Sequence, residues 1–146
     1  MKNVPSKYKC IRNDRFIKLE EYKSSITFDN KDRLEVIQVK IDGEVCTDNT
    51  TRKCDYLITN KDERNEIFIE LKGKNISHAI DQIEESIKMF GEYKENRRAY
   101  IVCTKVPQYS IATKSNSGLQ NKKEKLLNDY NVKLTIKENI KNEKLF

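Results

Sequence analysis

Residues Glu66–Lys74 read EIFIELKGK, a run of Ile, Phe, Ile and Leu interrupted by a carboxylate at Glu70 and an amine at Lys72. In an extended chain, residues two apart project from the same face. Glu70 and Lys72 therefore leave one side of a strand whose other side is lined by Ile67, Ile69 and Leu71. Taking a carboxylate and an ammonium out of water is costly. A strand carries them only where a partner, a metal ion or exposure at a sheet edge offsets that cost.

Working outward, the apolar period changes after Gly73 from that of a strand to that of a helix. Ser77 can cap a helix in which Ala79, Ile80, Ile83, Ile87 and Phe90 form one apolar stripe, ending near Asn96. Ala99–Thr104, AYIVCT, is the nearly continuous apolar run of a buried strand, and the connection to it is long enough for a parallel crossover. Upstream, Leu34–Ile41 alternates, with Leu34, Val36, Gln38 and Lys40 on one face and Val39 and Ile41 on the other. The DGE at Asp42–Glu44 signals a tight turn, with Asp42 a turn residue, and CTDNTTRK reads as a loop. Cys54–Thr59, CDYLIT, is a second strand, joined by the polar NKDERNE to the IFIELKG strand, so the middle of the chain is predicted to be an antiparallel meander.

Asp14–Ser24, DRFIKLEEYKS, is predicted as a short helix capped by Asn13 or Asp14, followed by a polar connector, FDNKD. Beyond Thr104, a polar loop over 105–117 leads to a helix at about Leu119–Tyr130. A short strand follows at Val132–Ile136, then a charged tail, KENIKNEKLF, expected to fray. The order is α-β-β-β-α-β-α-β. It implies an α/β class, a mixed sheet flanked by helices, and a single domain over residues 1–146.

A chain of 146 residues fits one domain with a sizeable core. Only 36% of residues are hydrophobic, 36% are charged and Trp is absent, so the core is economical. The 29 Lys and Arg against 23 Asp and Glu leave a net +6, a moderate basic excess that suits a polyanion partner without demanding one. No window approaches the roughly 18 apolar residues of a membrane span, and MKNVPSKYKCIRNDRF lacks the apolar centre of a signal peptide. A cytoplasmic address with no membrane partner is the expectation. Cys10, Cys46, Cys54 and Cys103 are scattered, and the single histidine, His78, does not complete a zinc site with them. Reduced thiols packed as small hydrophobes are expected.

Asp55 opens the strand immediately before IFIELKG. If the two strands pair, Asp55 approaches Glu70 and Lys72 at one end of the sheet. Two carboxylates brought together repel, and a divalent cation removes the repulsion. Mg²⁺ prefers such hard oxygen ligands and keeps waters that can become nucleophiles. A lysine beside it can orient or deprotonate a water, or steady charge developing on a phosphate. This spacing suits metal-assisted phosphodiester hydrolysis. The plainer readings are a turn-capping Asp55 paired with Arg52 or Lys53, and a Glu70–Lys72 salt bridge on an edge strand.

Asp55 followed by Glu70-Leu71-Lys72 resembles the PD-(D/E)XK nuclease superfamily, the restriction-endonuclease-like fold, with Cys54 where the proline of that motif often stands. The family core, α-β-β-β-α-β, corresponds to about residues 14 to 105, with the C-terminal helix and strand as an elaboration. ELKGKNISHAIDQI is similar to members in which a glycine follows the lysine and a glutamine-bearing helix packs behind the site. Gln82 takes that place, and Ser86 stands where some branches carry a tyrosine. The resemblance implies a nuclease dependent on Mg²⁺, with Mn²⁺ as a substitute, acting on nucleic acid, DNA favoured over RNA. Asp55, Glu70 and the backbone carbonyl of Leu71 would hold the metal, Lys72 would position the attacking water, and Gln82 would contact the site or a phosphate. The first helix of the family sometimes adds an acidic ligand, which makes Glu20 or Glu21 a candidate. His78 is expected on the helix surface or against a phosphate. Lys31, Arg33, Lys53, Lys105 and Lys114 are candidates for holding the nucleic-acid backbone. The sequence contains no evident target-recognition domain, so a homodimer or a protein partner is expected to supply targeting. The alternatives are a catalytically inactive nucleic-acid-binding or protein-interaction module on the same fold, and a basic structural protein with no nucleic-acid partner.

Overall fold

The computed structural model describes residues 1–60, 62, 64–71, 75–105 and 117–146. In chain order these form β1 (Cys10–Arg12), β2 (Phe16–Glu21), β3 (Ser24–Asp29), β4 (Val36–Lys40), β5 (Tyr56–Asn60) and β6 (Asn65–Leu71). Then come α1 (Ile76–Phe90), β7 (Asn96–Cys103), α2 (Ser117–Tyr130), β8 (Val132–Glu138) and β9 (Ile140–Lys144). A six-stranded sheet has the order β1-β4-β5-β6-β7-β8, and a smaller sheet has the order β2-β3-β9. The class is α/β with a mixed sheet: β4, β5 and β6 form the expected antiparallel meander, and β7 and β8 continue it in parallel.

β6 is central, and all seven of its residues are buried because both faces are covered. Phe68 packs with Ile80, Ile83 and Ile87 of α1, whereas Ile67, Ile69 and Leu71 pack with Ile17, Leu19, Ile26 and Phe28 of the small sheet. Burying each such side chain contributes roughly 1.5–3 kcal/mol, which is why two layers can hold one strand so firmly. The molecule is thus three-layered, with helices on one face of the large sheet and the small sheet on the other.

The stripe Ala79, Ile80, Ile83, Ile87 and Phe90 is buried as its spacing predicts. The cap is Asn75 rather than Ser77: its side-chain oxygen accepts the His78 backbone N–H at 3.1 Å. The helix stops at Phe90 rather than near Asn96. Gly91 follows, where a Cβ would lie 2.6 Å from the Ile87 carbonyl and 2.8 Å from the Arg97 guanidinium.

Two stretches depart from the sequence expectation. Asp14–Ser24 is not a helix but the β2–β3 hairpin, turning at Tyr22 with φ of 51°. The register pairs Ile17 with Phe28 and Leu19 with Ile26, so a period of two gathers all four on one buried face, which a helix would have scattered. The first helix of the expected α-β-β-β-α-β core is therefore replaced by strands. The tail does not fray: β9 pairs in parallel with β3, and Ile140 and Leu145 are buried. Of the four free cysteines, Cys54 and Cys103 are buried as small hydrophobes and Cys10 is exposed. Among the described residues no helix is long and apolar enough to cross a membrane.

Candidate functional site

The antiparallel register joins Lys40 to Tyr56 and Tyr56 to Ile69. Continued by one residue, it sets Asp55 across from Glu70, on the face of the sheet that α1 covers. The Asp55 Oδ2 accepts the Leu71 backbone N–H at 2.6 Å, which fixes Asp55 against the last turn of the β6 ladder. Asp55 and Glu70 are 3% and 6% exposed. A buried thiol nearby registers both: burial pushes the Cys54 thiol well above its usual range, and the charges of Glu70 and Asp55 push it further. Leu71 turns its side chain into the opposite core, so its backbone is what it presents at this strand end.

More acids gather nearby on the other face. Burial raises the Tyr56 hydroxyl above its ordinary value, and the charges of Glu21, Asp55, Glu44 and Glu20 raise it further. Of the two sequence candidates, Glu21 shares the inward face of β2 with Ile17 and Leu19, and Glu20 points outward and pairs with Lys18. Both ride on a strand rather than on the expected helix. Among the described residues no three His, Cys, Asp or Glu side chains are grouped closely enough to hold a metal ion, so neither glutamate joins Asp55 and Glu70 as a third ligand. The donor set that remains is two adjacent carboxylates and a strand-end carbonyl. All are hard oxygens, the donor chemistry that Mg²⁺ or Mn²⁺ takes with water completing its shell.

Gln82 is bonded to the backbone just ahead of Asp55. Its Nε2 donates to the Lys53 carbonyl at 2.8 Å, two residues before Asp55. His78 is exposed and lines, with Gln82, Asp42, Asn49, Thr50, Thr51, Arg52 and Lys53, a polar cleft of about 260 Å³. Asp42 is more than a turn residue, because its carboxylate lies 3.6 Å from Lys53 Nζ.

The basic candidates divide. Lys53 is 4% exposed, and its ammonium is folded back onto the Asp48 and Thr51 carbonyls, so it closes its own loop and offers nothing to a phosphate. Lys31 and Arg33 are exposed but precede β4, which starts beside the Asn60 end of β5, opposite to Asp55. Lys105 is exposed and emerges after β7, whose Val102 lies beside Leu71, at the same end as Glu70. Lys72 and Lys114 lie outside the described residues.

A cavity of about 980 Å³ opens far from these acids, among Asn65, Asn96, Arg98, Lys133 and Phe146 at the other end of the sheet. Its size alone does not make it the chemical centre, since the groups lining it include no facing carboxylates. Sequence reasoning missed Ser86, whose Oγ accepts the Cys54 N–H at 2.8 Å. The signal was a small polar residue inside the apolar stripe, one helical turn beyond Gln82. Protein-family models, curated proteins and solved structures were all compared with the chain, and none matches it.

Proposed function

We propose that the chain is a metal-dependent nuclease of the restriction-endonuclease-like type, hydrolysing phosphodiester bonds of nucleic acid, DNA in preference to RNA. The observation that carries this reading is the juxtaposition of Asp55 and Glu70, two buried carboxylates on adjacent strands at one end of the sheet. The run β4-β5-β6-α1-β7, an antiparallel meander followed by a helical crossover to a parallel strand, supports this reading, although a hairpin stands where the first helix of that fold would be.

Asp55 and Glu70, with the Leu71 carbonyl, would hold one Mg²⁺ or Mn²⁺. The bound ion supplies Lewis acidity and a water of lowered pKa. The protein's own part is to aim the two carboxylates and to keep apolar packing behind them on both faces of β6. Lys72, adjacent in sequence to the ligands, would steady the negative charge that grows on the phosphate or orient the attacking water. The basic excess, with Arg52 and Lys105 exposed near this end, would hold the nucleic-acid backbone with an affinity that falls as salt rises.

The test is incubation of the chain with supercoiled, linear, branched and single-stranded DNA and with RNA, in Mg²⁺, Mn²⁺ or chelator. Cleavage should need the cation, and Lys72→Ala should lower it by roughly 10²-fold or more with little change in affinity. A second reading, a binding module without catalysis on the same fold, is favoured by the low exposure of Asp55 and Glu70. Salt-dependent binding with no cleavage under any cation would decide for that module.

A further inference from the structure

The peptide unit between Lys53 and Cys54 is held at both of its polar groups by one helix. Its carbonyl accepts from Gln82 Nε2 at 2.8 Å, and its N–H donates to Ser86 Oγ at 2.8 Å. Gln82 and Ser86 are four residues apart and so lie one above the other on α1. Ser86 and Cys54 are both 0% exposed, so water does not compete for the N–H. The next residue is Asp55, whose carboxylate is bonded to the Leu71 N–H.

We propose that Gln82 and Ser86 form a two-point clamp on the Lys53–Cys54 peptide that aims the Asp55 carboxylate at the end of β6. A peptide unit is a rigid plane, so fixing its carbonyl and its N–H together fixes the orientation of the plane. Only the two backbone torsions of Cys54 then separate that plane from Asp55. One bond would let the plane rotate about the remaining contact. Two bonds from successive turns of a packed helix do not. The clamp needs an N–H at position 54, which a proline could not offer. It also accounts for a serine in an otherwise apolar stripe, because a buried hydroxyl is tolerated only where it is bonded. Ser86 and Gln82 are positioning residues: their hydrogen bonds go to the backbone ahead of Asp55, and they act through it.

What the clamp is for rests on the metal-site reading, but whether it aims Asp55 does not. The deciding readout is therefore the Leu71 amide, followed by NMR hydrogen exchange on the metal-free chain. Ser86→Ala removes the acceptor. Gln82→Met removes the donor at a part-exposed position, so the fold survives if Ser86→Ala does not. Ile83→Val serves as the control, since it loosens α1 without touching the peptide. Leu71 should exchange about tenfold faster, relative to Ile69, in the two clamp variants and at the wild-type ratio in the control. A Leu71 ratio unchanged in both clamp variants, or shifted equally by Ile83→Val, overturns the clamp. In a parallel Mn²⁺ titration the clamp variants should need about tenfold more cation for half-saturation. A wild-type chain that ignores Mn²⁺ would remove the metal site, and the exchange ratio would still decide the clamp.

Discussion

Glu66 and Glu70 stand four residues apart on one face of β6, at 0% and 6% exposure, and the charged residues set beside them differ in sign. Glu66 accepts from Arg97 Nε at 2.8 Å and Nη2 at 2.7 Å, and from the backbone N–H groups of Glu92 at 2.7 Å and Tyr93 at 3.1 Å. Arg97 also donates to the Tyr130 carbonyl at 3.2 Å, and Gly91 leaves room for its guanidinium. Charge is cancelled there and the donors are used. Glu70 instead stands across from a second carboxylate, Asp55. Residue type, strand and depth are the same, so burial alone does not separate the two acids. The residue set beside each of them does: Arg97 next to Glu66, Asp55 across from Glu70. One end of β6 sets its acid against Arg97, and the other sets Glu70 across from Asp55, the pair on which the proposed metal site rests.

The comparison breaks first at Arg97. Removing one partner of a buried pair leaves an uncompensated charge, so Arg97→Ala should lower stability by about 3–5 kcal/mol in denaturant unfolding. A loss under about 1 kcal/mol would mean that the Glu66 end is no more closed than the Glu70 end. Ile83 is a control common to both ends, since it is fully buried in the helix layer over the sheet. Ile83→Ala should lower stability by about 2–5 kcal/mol through the cavity it leaves. The remaining folded fraction should take up cation as the wild type does. A change in cation affinity equal to that of Asp55→Asn would show that helix packing, rather than the acids, governs the site.

What the sequence made legible follows where its period was unmixed. Ile80, Ile83, Ile87 and Phe90 recur at helical spacing, and Val36 and Val39 alternate onto the two faces of β4 as read. Asp55 falls across from Glu70 in register because a meander was readable on both sides of a polar turn. DRFIKLEEYKS misleads because Lys and Glu favour helix locally, whereas Ile17, Leu19, Ile26 and Phe28 follow a period of two that only the hairpin satisfies. Tertiary burial won over propensity. The tail hid for a different reason: Ile140 and Leu145 are five apart, and β9 carries a register shift against β3 and a left-handed Asn142 with φ of 54°, so no simple alternation marks it. For Gln82 the sequence placed the helix position, and the structure adds the backbone partner, the Lys53 carbonyl. Its distance from Asp55 along the chain says nothing about which backbone group lies within reach.

The last difference between the two ends is their response to a cation, and it sharpens the comparison without any substrate. An ion that binds only the folded chain stabilises it by mass action, by about 2.7 kcal/mol when present at a hundredfold excess over its Kd. Mg²⁺ or Mn²⁺ should therefore raise the unfolding midpoint of the wild type. Asp55→Asn and Glu70→Gln, which keep an oxygen but lose a charge, should show little or no such rise. Mg²⁺ should also move the amide resonances of Leu57, Ile69 and Leu71, beside the facing acids, and leave those of Glu92 and Tyr93, which donate to Glu66, where they are. Those two amides are already committed to a neutralised carboxylate, so a divalent ion has nothing to gain there. A midpoint that ignores both cations would remove the metal from the site. Shifts at Glu92 and Tyr93 as large as those at Leu71 would mean that Glu66, despite Arg97, competes for the ion, and the contrast drawn along β6 would fail.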